Sequence, residues 1–258
     1  MSVELGRRKN SEGWRNTLAK KSFISLVDDG EDGAGYRTLI ERTYGRLRED
    51  ILNGTLQPGE KLLVEHLKQR YEVGSGTVRE ALSRLVSEAM VIAEGQRGFT
   101  VAPISIDDLI DVTNVRVGIE TDALRASIRQ GDDFWRHRLR LAYEKLSALE
   151  QPLHDENIRR WEQANAAFHA ALLSACGSPW ALRVVQQLTQ HAERYRRYAI
   201  GLHTGRDVHT EHQQIFEAAI AGQDARAALA LEAHIRGTPE LIVNAIRSGK
   251  NLFAIHEP

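Results

Sequence analysis

The chain has 258 residues, enough for one large domain or two smaller ones, and 42% of them are hydrophobic, as in ordinary globular proteins. No apolar run approaches the roughly 20 residues that span a bilayer, no signal-peptide pattern opens the chain, and the lone cysteine, Cys176, excludes an internal disulfide framework. These features fit a reducing cytoplasm and no membrane partner, whereas a formal net charge of −1 decides nothing about nucleic acid.

Charge is unevenly placed. Arg7, Arg8, Lys9, Arg15, Lys20 and Lys21 stand against Glu4 and Glu12, and Asp28, Asp29, Glu31 and Asp32 follow. Residues 1–35 therefore read as a disordered arm of low hydrophobicity. From Tyr36 the pattern becomes regular. Leu39, Ile40, Tyr44, Leu47, Ile51 and Leu52 recur at helical spacing until Asn53-Gly54. Pro58-Gly59 marks a turn, and a short helix is expected from Leu63 to Tyr71, with Leu63, Leu67 and Tyr71 on one face. Gly74-Ser75-Gly76 is a second turn. Ser75 or Thr77 can cap the helix that follows, whose buried stripe is Val78, Leu82, Leu85 and Val86, while Arg79 and Arg84 fall off it. "MVIAE" and "GFTVAP" are short β-like runs separated by Gly95-Gln96-Arg97-Gly98, a hairpin with a basic tip.

Helix, short helix, turn, helix and hairpin is the layout of a winged helix-turn-helix, in which the helix after the turn enters the DNA major groove. Small residues at its start let the backbone approach phosphates, and its free amides favour an anion. An ordinary helical hairpin with exposed arginines has the same spacing, so spacing alone leaves both readings open. Residues 36–102 hold ten Lys and Arg against nine Asp and Glu. Affinity for DNA would then rest on dimerisation and a few well-placed contacts, not on a strong general field.

After Pro103 the whole pattern is helical: about six helices, with starts at Ser105 (Asp108 three residues on), Asp132, Asp155 and Ser178-Pro179, then about Arg206 to Ala221 and Asp224 to Ile246, divided by Gly222. The inward stripes carry polar groups. Arg116 shares a face with Leu109, Val112, Ile119 and Ala123; Asn165 and His169 with Ile158, Trp161, Phe168 and Leu172. His212 lines up with Ile215, Phe216 and Ala219, and His234 with Ala227, Ala230 and Leu231. One histidine on an apolar face is more often a satisfied core residue. Four such groups on three inward faces, two of them an i, i+4 pair, also fit a nitrogen-rich site for one ion with room for a further ligand.

"ILNGTLQPGEKL", "VREAL" and "GFTV" occur in the order in which they stand in the DNA-binding half of the GntR family of bacterial transcription regulators, and residues 36–103 resemble it. "NVRVGIE", "NAAFHAALLSACGSPW", "EHQQIFEAAIAGQDARAA" and His234 make residues 104–247 similar to the all-helical ligand-binding domain of the FadR-type (FCD) subfamily, leaving 248–258 as a tail. The "ERYRRY" run and the Leu-rich stretch near Trp135 are most similar to the branch with carbon-starvation-induced regulators, whose ligands are small dicarboxylates. The resemblance implies a mainly α protein: an N-terminal winged helix-turn-helix followed by an all-α bundle. It implies DNA contacts from Ser75, Gly76, Thr77, Arg79, Arg84, Arg97 and Gly98. It implies one divalent metal, zinc or nickel, on Asn165, His169, His212 and His234, and a small carboxylate effector on Arg116, Glu120 and Arg194. The chain departs from many members in having Gly-Ser-Gly-Thr before "VREAL", where they carry Ser-Arg-Thr-Pro, and Asn165 where they carry aspartate.

The expected function is a homodimeric, cytoplasmic transcription regulator, a repressor, released from its operator by the acid. The rival is a metal-dependent hydrolase using the same histidines, with Glu120 or Glu211 as base. Neither glutamate is spaced like a known catalytic motif, and an enzyme gives no reason for the winged helix, so a non-enzyme is expected. For Arg116 two partners are open: Glu120 one turn on, or a ligand carboxylate in bidentate contact.

Overall fold

The computed structural model describes residues 38–95, 98–150, 157–200 and 206–248. The arm 1–35, the wing-tip Arg97, the expected helix start at Asp155 and the tail beyond Ser248 lie outside the described residues. Among the described residues no helix is long and apolar enough to cross a membrane.

The first helix, α1 (Leu39–Leu52), opens with a capping box: Thr38 Oγ1 accepts from the Glu41 amide while the Glu41 carboxylate accepts from the Thr38 amide. Strand β1 (Lys61–Leu62), helix α2 (Val64–Tyr71), helix α3 (Ser75–Ser87) and strands β2 (Val91–Ala93) and β3 (Phe99–Val101) follow, the strands forming an antiparallel sheet in the order β1-β3-β2. This is a winged helix-turn-helix. Strand β1 was not expected, because two residues are too short to display a period of two. The Pro58-Gly59 turn feeds it: Gly59 sits at φ +79°, and its amide donates to the Val101 carbonyl at 3.0 Å.

Two local expectations need correction. Leu63 is the residue before α2, not its first buried position, and is 51% exposed. The cap of α3 is Gly74, and neither Ser75 nor Thr77 closes it, since Ser75 is already helical and no side chain bonds the first amides. Those amides are left for an outside partner. Leu47 and Ile51 of α1, Leu67 and Tyr71 of α2, and Val78, Ala81, Leu82 and Leu85 of α3 fill the core with Val91 and Val101 of the wing, whereas Val86 packs only at its edge. Each fully buried leucine contributes about 1.5–3 kcal/mol relative to exposure.

Six helices build the second part: α4 (Ile106–Gln130), α5 (Asp133–Glu150), α6 (Ile158–Leu173), α7 (Pro179–Ile200), α8 (Val208–Ile220) and α9 (Asp224–Arg247). Four of these helices start with a cap from a short polar side chain. Ser105 Oγ accepts from the Asp108 amide, Asp132 Oδ1 from Trp135, Ser178 Oγ from Ala181 and Asp207 from Thr210. Helix α6 starts at Ile158, with Asn157 before it making no side-chain cap. Leu124, Trp135, Leu139, Phe168, Leu172, Ile215 and Leu231 are at the centre of the bundle core, and the Trp135 indole N–H donates to the Ala171 carbonyl at 2.9 Å.

Helix α7 touches both parts. Its Glu193 accepts from Arg48 of α1 at 2.5 Å, its Arg197 lies 3.5 Å from Glu49, and Tyr195 and His191 both reach Asp108 near the start of α4. Arg194, expected on the effector, does something else: buried, it donates to the carbonyl of Ala102 in the segment that leaves the wing. A run with four charges in six residues gives no phase by which to tell which of them faces the pocket. The helix register turns Arg194 toward the junction instead.

Candidate functional site

On the winged helix, Ser75, Gly76 and Arg79 are exposed at the start of α3, with Thr77 half-buried beside them. Gly98 takes φ +101° at the wing, a left-handed conformation natural to glycine. Arg84 is exposed too, but it stands near the opposite end of α3, its guanidinium 4.8 Å from the Tyr44 ring centre. It is separated from Ser75, at the start of α3, by more than two turns.

In the bundle, α6, α8 and α9 bring His169, His212 and His234 together, with a ring nitrogen of each within 4.8 Å of the others. The ring centres lie 4.5–5.5 Å apart, and Phe168 packs edge-on against His169 and His212. Asn165 lies one turn before His169 on the same buried face of α6. Carboxylates from outside orient two rings. Glu150, at the end of α5, holds His212 Nδ1 at 2.7 Å and His209 Nδ1 at 3.2 Å, and accepts from the Trp161 indole at 3.0 Å. Glu211 holds His234 Nδ1 at 2.8 Å. A carboxylate on Nδ1 fixes the proton there and presents Nε2 as a lone pair, the arrangement by which proteins prepare imidazole for a metal.

On the candidate ligands themselves, Nε2 of His212 and Oδ1 of Asn165 are buried acceptors with no hydrogen-bond partner among the described residues. Buried polar atoms are rarely left so, and two lone pairs without a donor are what a cation satisfies. Burial, then the neighbouring imidazoles and arginines, holds His169 well below the ordinary histidine range, and His234 likewise. Both rings are therefore neutral, as ligands must be. Burial pulls Glu150 up, but the hydrogen bonds from His212, Trp161 and His209 bring it below the usual carboxylate range, so it is ionised against its imidazoles. The residues present fit a divalent ion.

Arginines surround this centre, each with a carboxylate of its own. Arg116 Nε donates to Glu120 Oε1 at 2.7 Å, so of the two partners open from sequence, the internal one is seated. The pair uses Nε, and Glu120 Oε2 is buried without a hydrogen-bond partner among the described residues. Arg196 makes a two-nitrogen fork onto Glu162 at 2.5–3.0 Å. Arg206 forks onto Glu211. Arg116 and Arg196 lie close enough to act electrostatically on both His169 and His234. Glu211 and Glu120, the bases that the hydrolytic alternative needs, are thus committed to arginines.

Sequence reasoning missed Glu150, Glu162 and Arg196. Glu162 was findable: Glu162, Asn165 and His169 follow i, i+3, i+7 on one helix face. Glu150 was not, because its partner His212 is 62 residues away and only the packing of α5 on α8 joins them.

Residues 39–101 match the family model described as bacterial regulatory proteins, gntR family, and residues 111–237 match the FCD domain. The HTH-type transcriptional regulator BphR of Paraburkholderia xenovorans (strain LB400) is 43% identical over 215 residues, covering 81% of this chain and 87% of BphR. The HTH-type transcriptional repressor GlaR of Escherichia coli (strain K12) is 33% identical over 212 residues, covering 80% of this chain and 96% of GlaR. The fold matches that of E. coli McbR/YncC, with a TM-score of 0.63 and 19% identity over 83% of this chain and 99% of that one. With matched models on both its parts and relatives that are transcriptional regulators along most of their length, the chain belongs to the GntR family, as a DNA-binding transcriptional regulator with an FCD domain and not an enzyme.

Proposed function

We propose that this regulator is a cytoplasmic homodimer that represses transcription, and that a small carboxylate bound beside a divalent ion in the bundle controls its hold on an operator. The observation that carries the reading is the convergence of three imidazoles, two of them aimed by carboxylates, with buried lone pairs on His212 and Asn165 that have no hydrogen-bond partner among the described residues. Asn165, His169, His212 and His234 would hold the ion, one per chain, and a neutral, nitrogen-rich set suits zinc or nickel. When bound, the ion supplies a positive, Lewis-acidic point for a carboxylate oxygen.

The chain's own residues do the rest. Arg116, leaving or sharing Glu120, offers a planar fork to a carboxylate, and Glu120 Oε2 offers an acceptor to any donor the ligand carries. Repression agrees with the name of the E. coli relative, a transcriptional repressor. The junction along α7 supports a link between the two parts, since Glu193 and Arg194 tie the bundle to α1 and to the segment after the wing.

Metal analysis followed by a thermal-shift screen of small mono- and dicarboxylates tests the reading. The protein should carry close to one divalent ion per chain, and the right acid should raise the melting temperature of the loaded protein, since it binds only the folded state. Metal content near zero in protein never exposed to chelators would return the histidines to the core.

On the DNA side, Arg79→Ala should weaken operator binding by about 1–3 kcal/mol, as loss of a base-edge contact does, with metal content unchanged. Competition gel shifts measure this. Wild-type affinity in Arg79→Ala would remove α3 as the reading helix.

A further inference from the structure

Arg206 precedes α8, and its four hydrogen bonds among the described residues go to neither an imidazole ring nor Asn165 but to the groups around one of the candidate ligands. Its Nε donates to Glu211 Oε1 at 2.8 Å, and its Nη2 to Glu211 Oε2 and to the His234 carbonyl, both at 2.6 Å. Its Nη1 donates to Thr238 Oγ1 at 3.0 Å. The same Glu211 Oε2 faces His234 Nδ1 at 2.8 Å. One guanidinium therefore grips both the carboxylate that aims the His234 ring and the backbone that carries it.

The fold makes room for this grip. A Cβ built on Gly237 of α9 would lie 2.6 Å from the Arg206 guanidinium carbon and from Nη2. Gly237 has a negative φ and sits inside a helix, so no backbone requirement explains a glycine there, and glycine weakens a helix interior relative to alanine. The space beside it is the space that Arg206 fills.

We infer that Arg206 is a positioning residue of the pocket: acting through Glu211, it sets the direction of His234 Nε2 and so the affinity for a divalent ion. This rests on the reading that the pocket holds such an ion. Glu211 stands in the first turn of α8 and is 29% exposed, so without the fork it can turn to water and leave the ring free to rotate. Removing the charge of Arg206 would by itself favour a cation nearby, so the informative variants keep the charge and spoil the fit. An ammonium cannot reproduce a two-nitrogen fork, which makes Arg206→Lys one of them. Gly237→Ala is the other, since the new methyl displaces the guanidinium while raising helix propensity.

The test is zinc affinity of the full chain, by competition with a chromophoric chelator. Arg206→Lys and Gly237→Ala should each weaken zinc on the order of tenfold, the low end for an outer partner of a ligand. Their metal-free forms should melt with wild type. Glu211→Gln should also weaken zinc, and the Arg206→Lys/Glu211→Gln double variant should bind no more weakly than Glu211→Gln alone, because the two act in one chain. Wild-type affinity in both charge-preserving variants would overturn the inference, as would additive losses in the double variant. Wild-type protein that binds no zinc would overturn the metal reading itself, and the inference with it.

Discussion

His212→Ala protein is expected to purify with less than about one-tenth of the wild-type metal content, the largest effect of any single change at the pocket. The ring is fully buried, its Nδ1 is taken by Glu150, and its Nε2 has no partner among the described residues. Loss of the ring removes the best-prepared of three imidazoles, and it leaves Glu150, 3% exposed, short of a partner. Circular dichroism of metal-free protein separates loss of a ligand from loss of fold. Asn165→Asp should act oppositely and tighten the metal, because an anion replaces a neutral amide. Equal metal content in wild type and His212→Ala would show that the ring is a core residue and nothing more.

Glu162→Ala should lower stability by about 3–5 kcal/mol, because it leaves a buried guanidinium without the carboxylate that hydrogen-bonds it. Glu162 and Arg196 have side chains 6% and 15% exposed, and their two-nitrogen fork ties α6, which carries Asn165 and His169, to α7, which carries the junction. For a chain of this size the loss corresponds to a melting temperature lower by roughly 10 °C. Glu162→Gln should cost less, since an amide oxygen still accepts from the fork. A Glu162→Ala protein that melts within about 2 °C of wild type would mean that water replaces the carboxylate at little cost.

Much of this architecture was legible in the residues, because long helices repeat their signal many times. Arg116, His169, His212 and His234 each fell on a stripe with several apolar neighbours, and all four are buried or nearly so. Short elements carried too little signal. Strand β1 is two residues long, and the cap of α3 is Gly74, ahead of both Ser75 and Thr77. The outer layer of the pocket was harder for a different reason. Glu150 meets His212, and Arg206 meets Thr238 and the His234 carbonyl, across turns whose geometry no local pattern states. Arg194 and Arg196 show the limit most plainly. They are two residues apart in one charged run, yet one pins the segment after the wing and the other reaches the pocket. A helix advances each residue by about 100°, so residues two apart point about 200° from each other, toward nearly opposite faces.

An acid on Arg116 should change the grip on DNA, and operator release titrated with the acid found in the thermal-shift screen measures that change. To carry the operator from mostly bound to mostly free, that acid must favour one state by about 5.5 kcal/mol. Wild-type protein should release the operator steeply with the acid and not with its amide. Arg116→Ala should bind the operator as wild type does and stay bound throughout the titration, because Arg116 lies on α4 in the bundle, away from α3. Release of the operator from Arg116→Ala at the wild-type acid concentration would contradict the account.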